Sequence, residues 1–158
     1  FGLGRDSLTY SYTNYTGKPY EVGTSYFKYF YPALFNNFAA RMDWANEGKG
    51  NRNPVVIVNG KAGIGQLTIE KKSGKKVMLD ASKSFDLEGD ELSIKWWVQP
   101  EAGSYNEAIE IQTISPGKAS IALPSNSAGH SIHVICEVTD NGVPNLTSYR
   151  RVIIHSKN

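Results

Sequence analysis

The residues best suited to chemistry lie between positions 80 and 90. Asp86, Glu88 and Asp90 alternate across a turn that contains Gly89, and Asp80 lies just upstream. Closely spaced carboxylates on a turn suit a hard cation such as calcium, which takes roughly six to eight oxygens from carboxylates, carbonyls and water. The spacing, with no glutamate at the closing position, excludes an EF-hand. The competing reading is a hydrogen-bonded turn, in which Asp80 or Asp86 does no more than satisfy loop amides.

A second set is aromatic. Along 92–99, Leu92, Ile94, Trp96 and Val98 share one face, and Ser93, Lys95, Trp97 and Gln99 share the other. The first face is apolar and points to a core, so Trp97 points away from it. Tyr105 follows shortly after, and Tyr149 lies on the last predicted strand. Sugar rings stack their apolar C–H faces on such side chains, and Gln99, Glu101 and Asn106 would supply hydrogen bonds to hydroxyls. The competing reading packs Trp97 beneath the N-terminal segment or against another domain. An outward indole usually marks an interface, and a domain interface is preferred over glycan.

No catalytic residue is assigned. A glycosidase needs two carboxyl groups flanking a cleft, and nothing fixes a pair among Glu101, Glu107, Glu110 and Glu137. His130, His133 and His155 occur without a Gly-x-Ser-x-Gly elbow. His133 and Glu137 fall on one predicted face, where an ordinary surface pair explains them. Gly60-Lys61-Ala62-Gly63-Ile64-Gly65 lacks the Gly-Lys-(Ser/Thr) of a phosphate loop. Cys136 is the one cysteine, which excludes an internal disulfide and a cysteine zinc site. It reads as a small buried hydrophobe.

The elements that position these residues follow from composition and pattern. Apolar residues make up 40% of the 158, enough for a core, and charged residues 20%. The net charge of +2 argues against nucleic acid or an anionic membrane as partner. Lys71, Lys72, Lys75 and Lys76 flank Ser73-Gly74 and read as a solvated turn. No run reaches the roughly 18 apolar residues of a membrane span. The opening Phe1-Gly2-Leu3-Gly4 has no initiator Met, so a fragment or processed form is expected.

Residues 1–31 carry Tyr10, Tyr12, Tyr15, Tyr20, Tyr26, Tyr29 and Tyr31, and read as a surface-hugging loop. A helix is predicted from Pro32 to Ala45, with Pro32 in its first turn and Leu34, Phe35, Phe38, Met42 and Ala45 as its apolar stripe. A polar linker follows at 47–54. From Pro54 onward short strands alternate with turns, near 55–59, 66–70, 75–80, 91–99, 107–112, 118–123, 131–139 and 147–155. Seven or eight strands in about 105 residues point to a Greek-key β-sandwich. The fold class is therefore mainly β, with a tyrosine-rich segment and one amphipathic helix in front. Trp96 sits where immunoglobulin-like domains bury a tryptophan, facing Ile132, Val134, Cys136 and Val138.

The stretch Val77-Met78-Leu79-Asp80-Ala81-Ser82-Lys83-Ser84-Phe85-Asp86-Leu87-Glu88-Gly89-Asp90, running on to Trp96, resembles PKD-type and cadherin-like modules. Asn51-Arg52-Asn53-Pro54-Val55 is similar to their start, and Val138-Thr139-Asp140-Asn141-Gly142 to their end. The pattern departs after Trp96, where Trp97-Val98-Gln99-Pro100 replaces Asp-Phe-Gly-Asp-Gly. In some PKD modules calcium binds at matching places, which this resemblance carries over to Asn53, Asp86, Glu88 and Asp140.

A broader resemblance rests on Phe38-Ala39-Ala40-Arg41-Met42-Asp43-Trp44, on the tryptophan pair with Glu101-Ala102-Gly103-Ser104-Tyr105, on His133 through Gly142, and on Tyr149-Arg150-Arg151-Val152-Ile153. These resemble the C-terminal part of bacterial cellulose-binding proteins, in which a nucleoside-hydrolase-like domain precedes such a sandwich. The resemblance implies that residues 1–50 end the hydrolase-like domain and that 51–158 form the sandwich. It implies a helix whose partner surface is largely missing. It also implies an extracellular, periplasmic or surface location and a polysaccharide partner. No metal-binding aspartate cluster of a nucleoside hydrolase is present, so no activity carries over. Three readings stand: an accessory module docking on the hydrolase-like domain, a ligand-free spacer, and the rim of an active site in the full-length protein.

Overall fold

Period-two alternation builds the sandwich, and the computed structural model describes residues 19–158. One sheet has the order β3 (Leu67–Lys72), β9 (Thr147–Lys157), β8 (Ser131–Asp140), β5 (Leu92–Val98), with β3 parallel to β9 and the other pairs antiparallel. The other has the order β4 (Lys76–Asp80), β7 (Lys118–Ala122), β6 (Ile111–Ser115). A small hairpin of β1 (Ile57–Val58) and β2 (Lys61–Ala62) sits apart. Consecutive strands cross repeatedly between the two larger sheets, as in a Greek-key immunoglobulin-like sandwich. The expected strand at 107–112 starts only at Ile111, because Glu107 is engaged by Tyr105 and Asn126.

The core lies between the sheets. Val77 and Leu79 of β4 and Ala119 and Ile121 of β7 meet Val134, Cys136 and Val138 of β8 and Val152 and Ile154 of β9. Leu92, Ile94, Trp96 and Val98 of β5 pack against this cluster, as the alternation predicts. Trp96 Nε1 donates to the carbonyl of Gly117 at 3.2 Å, so the indole is satisfied across the two sheets. Gly117 turns the β6–β7 hairpin at φ +74°, and a Cβ there would stand 3.1 Å from the Ser82 backbone. Gly117→Ala is therefore expected to lower stability by about 2 kcal/mol, read from urea unfolding, through strained backbone and contact with atoms that cannot move aside.

The helix differs from its sequence reading. The expected start at Pro32 is corrected: α1 runs Pro19–Glu47, with Pro32 inside it. Pro32 and Lys28 are both exposed, so the carbonyl deprived of its amide donor lies on the water-facing side. Packing of α1 against the sheet outweighs the weak helix propensity of its first half. Tyr10, Tyr12 and Tyr15 lie outside the described residues. The predicted stripe does not face the sandwich. Leu34, Phe35, Phe38 and Met42 are exposed, while Tyr26, Phe30, Ala33, Asn37, Ala40 and Trp44 form the less exposed, sandwich-side stripe.

The linker holds α1 in place. Trp44 Nε1 donates to the Asn51 carbonyl at 2.9 Å, and a Cβ on Gly50 would lie 2.8 Å from the Trp44 ring. Asn37 Nδ2 donates to Asn53 Oδ1 at 3.0 Å, and Asn36 Nδ2 donates to Asn145. No helix among the described residues is long and apolar enough to cross a membrane.

Candidate functional site

Two places gather the residues singled out by sequence. The first is an aromatic seam between α1 and the outer face of the four-stranded sheet. Trp97 of β5, Glu137 of β8 and Tyr149 of β9 lie together on this face, since Glu137 pairs with Lys95 on one side and Tyr149 on the other. The Trp97 ring lies 6.3 Å from Tyr26 (stacked), 5.6 Å from Tyr29 (edge-on) and 6.1 Å from Phe30. Phe30 also meets Tyr149 edge-on at 5.2 Å. Glu137 Oε2 accepts from the Tyr29 hydroxyl at 2.6 Å and from Trp97 Nε1 at 3.0 Å, while Lys95 Nζ donates to the Tyr29 oxygen at 3.0 Å. Burial, then the Glu137 carboxylate and the Tyr29 hydroxyl, push the Tyr149 phenol up to about 12, so it stays neutral. A shallow groove of about 270 Å³ remains beside Tyr26, Tyr29, Lys95 and Trp97.

The structure does not bring the four proposed carbohydrate or interface residues into one row. Trp97 and Tyr149 meet through Phe30. Gln99 is buried, and its Oε1 accepts from Arg151 at 3.3 Å. Tyr105 is buried elsewhere, with its hydroxyl 2.8 Å from Asn126 Oδ1 and its ring edge-on to His130. Glu101 accepts from the Tyr26 hydroxyl. His133 and Glu137 make no bond to each other: Glu137 serves the seam, and the buried His133 Nδ1 has no partner among the described residues. Burial, then Arg151 and His155, lower the His133 pKa. The Cys136 thiol is pushed up to about 12 by burial, which keeps it protonated and unreactive at neutral pH.

The second place is an acidic pole at the end of β8. Asp140 Oδ1 accepts from Gly142 N at 3.0 Å, Leu146 N at 2.9 Å and Asn51 Nδ2 at 3.0 Å. Asp86 Oδ1 accepts from Glu88 N at 2.7 Å. Both Oδ2 atoms are buried with no partner among the described residues. The other two residues of the expected calcium set are engaged otherwise. Asn53 joins Asn37 to the Thr147 carbonyl, and Glu88 faces Arg52 at 3.7 Å. Asp80 accepts from the Ser82 hydroxyl and amide and pairs with Lys118; the Ser82 bonds, then Lys118, lower its pKa, and it serves the turn. Among the described residues, no three acidic, histidine or cysteine side chains come together in a group that could hold a metal.

The sequence names Asp90 among the turn carboxylates, but gives no place in the seam or the pole to Tyr26, Phe30 and Asn51. A signal for the first two was present: positions 26, 30, 33, 37, 40 and 44 repeat at helical spacing. Asn51 carries no local signal, since its partners Asp140 and Pro144 come from the far end of the chain.

An immunoglobulin-like sandwich with an N-terminal helix clamped on its outer sheet is the class of module this geometry defines. The chain belongs to the Sde0182_C family, cellulose-binding protein Sde0182, C-terminal domain, whose model matches residues 76–156. It is similar to a Saccharophagus degradans nucleoside hydrolase-related hypothetical protein associated with carbohydrate metabolism, at 40% identity and a TM-score of 0.79. That match covers 82% of this chain and 32% of the other, so the chain spans about a third of that protein's length. A weaker match, at 19% identity and a TM-score of 0.35, is to mouse clustered PcdhgC3 EC1–3, covering 66% of this chain and 33% of that one. No curated protein matches the chain.

Proposed function

We propose that this chain is the non-catalytic accessory module of a longer secreted or surface polypeptide of carbohydrate metabolism. In this reading α1 is a two-sided adaptor. Its inner side is fixed by the seam and the linker. Its outer side docks on a nucleoside-hydrolase-like domain of the same polypeptide. One observation carries this reading: Phe27, Tyr31, Leu34, Phe35, Phe38 and Met42 form an exposed apolar face on a helix whose other side is already held. A contiguous apolar surface of this kind marks an interface. The size of the S. degradans protein supports an intramolecular partner, since most of that chain lies outside the match. Its printed association with carbohydrate metabolism, and the cellulose-binding name of the family, support polysaccharide as the wider polypeptide's target.

The test compares the full-length polypeptide with a Phe35→Asp, Phe38→Asp variant. Hydrogen exchange across the outer face of α1 is expected to rise at least roughly tenfold in the variant, since docking protection is lost. Retention on cellulose is expected from the wild-type polypeptide above a control protein. Unchanged exchange would remove the docking reading, and retention no better than control would leave a spacer.

A further inference from the structure

We propose that Arg41 anchors the docking face of α1 by pairing with a carboxylate of the nucleoside-hydrolase-like domain, one that stands next to an apolar side chain. This assignment rests on the docking reading and names the chemistry which that face selects. A groove of about 650 Å³ runs between α1 and the outer face of β9. Phe30, Leu34 and Phe38 line it from the helix, and Thr147 and Tyr149 from the sheet. Leu34 and Phe38 belong also to the exposed apolar face, so groove and face are one continuous surface. Arg41 is the only charged residue in the lining.

The guanidinium is held in place before any partner arrives. Arg41 Nε donates to Asn37 Oδ1 at 2.9 Å, and the guanidinium lies 6.0 Å from the centre of the Trp44 ring. Asn37 is tied in turn through Asn53 to the Thr147 carbonyl, across the groove. The rest of the fork has no use within the module. Ion pairs among the described residues employ Arg52, Lys118 and Lys157, and the two terminal nitrogens of Arg41 have no hydrogen bond there. Its helical neighbours three and four positions away are Asn37, Phe38, Trp44 and Ala45, none of them acidic. Asp43 and Glu47 border a different groove, shared with Lys49 and Arg52.

A fixed guanidinium with its outer nitrogens vacant matches a carboxylate in the two-pronged manner that an ammonium cannot. Because the side chain is ordered beforehand, little further freedom is lost on docking. The apolar walls define the rest of the occupant. A free inorganic anion would leave them wet, whereas a protein segment covers Leu34 and Phe38 while it delivers its charge. Once water is excluded there, removing the guanidinium strands the partner's carboxylate in an apolar contact, which is a large penalty at an interface.

The experiment follows hydrogen exchange of amides 34–41 in the full-length polypeptide, as wild type, as Arg41→Met and as the Phe35→Asp, Phe38→Asp variant. Arg41→Met keeps the stem that packs on Trp44 and is expected to raise exchange at least about tenfold. In the wild type, exchange is expected to rise at least about threefold between about 50 and 500 mM sodium chloride, whereas Arg41→Met responds little to salt. An Arg41→Met profile like wild type at both salt concentrations, with exchange raised in the Phe35→Asp, Phe38→Asp variant, overturns the anchor and leaves docking intact. Exchange unchanged in both variants removes the docking reading and the anchor with it. Protection that disappears on dilution would seat a second copy in the groove, and protection that appears only with added cellohexaose would seat a glycan. Either result overturns the assignment.

Discussion

Trp97→Ala releases α1 from the sandwich. The indole is the common partner of Tyr26, Tyr29 and Phe30, and its Nε1 also holds the Glu137 carboxylate that binds the Tyr29 hydroxyl. Removing it leaves a void under three rings and a carboxylate short of one donor. Large-to-small changes of this kind cost about 3 kcal/mol, with the aromatic pairs adding to the loss of buried surface. The effect falls mainly on the helix, because Trp96, not Trp97, anchors the inter-sheet core. Amides in the middle of α1 are expected to exchange at the rate of an isolated helix, while β8 and β9 keep their protection. Trp97→Phe is expected to recover most of the stacking and none of the Nε1 bond. Equal loss of protection in β8 would show that the seam and the core are one cooperative unit, contrary to this account.

Arg150→Met is expected to detach the loop between β2 and β3. Arg150 is a buried side chain on the inward face of β9, 4% exposed. Its Nε donates to the Gly65 carbonyl at 2.9 Å, and its Nη1 donates to the Lys61 carbonyl. Methionine fills similar volume but leaves both carbonyls without a donor, a loss of about 3 kcal/mol. Burial holds the guanidinium below its ordinary pKa, with the Cys136 thiol a smaller opposing influence. Arg150→Lys is expected to recover only part, since an ammonium cannot span two carbonyls as a planar fork does. Urea unfolding measures the loss, and exchange of the Gly63 and Gly65 amides locates it. A midpoint within error of wild type would exclude the clasp.

The sandwich was legible wherever a local pattern carried it. Alternation along 92–98 set Trp96 inward and Trp97 outward, and both lie so. The helix start was not legible. Pro32 suits a first turn, and Gly23, Thr24 and Ser25 disfavour helix. Rings on a sheet more than sixty residues downstream decide otherwise, and Trp97 shows nothing of this in its own neighbourhood. The stripe at 34, 35, 38 and 42 is apolar and exposed, and period alone cannot say which side of α1 the sandwich covers. Gln99 and Tyr105 show the same gap, because each follows a strand into a buried corner that spacing does not reveal. At the acidic pole, nothing local sets Glu88 apart from Asp90, and only the fold turns Glu88 to Arg52 and brings Asp90 beside Gly142.

The lysines around Ser73-Gly74 sit where β3, one border of the larger sheet, passes into β4, one border of the smaller. On the β4 border Asn59 already covers Met78 and Asp80, whereas β3 ends its sheet and would otherwise invite a second molecule to add its own strand. Lys71, Lys72, Lys75 and Lys76 are all solvent-facing and cluster at this junction. Any approaching copy brings the same positive charge to the same place. Mutual repulsion there discourages sheet-to-sheet polymerisation along the β3 margin.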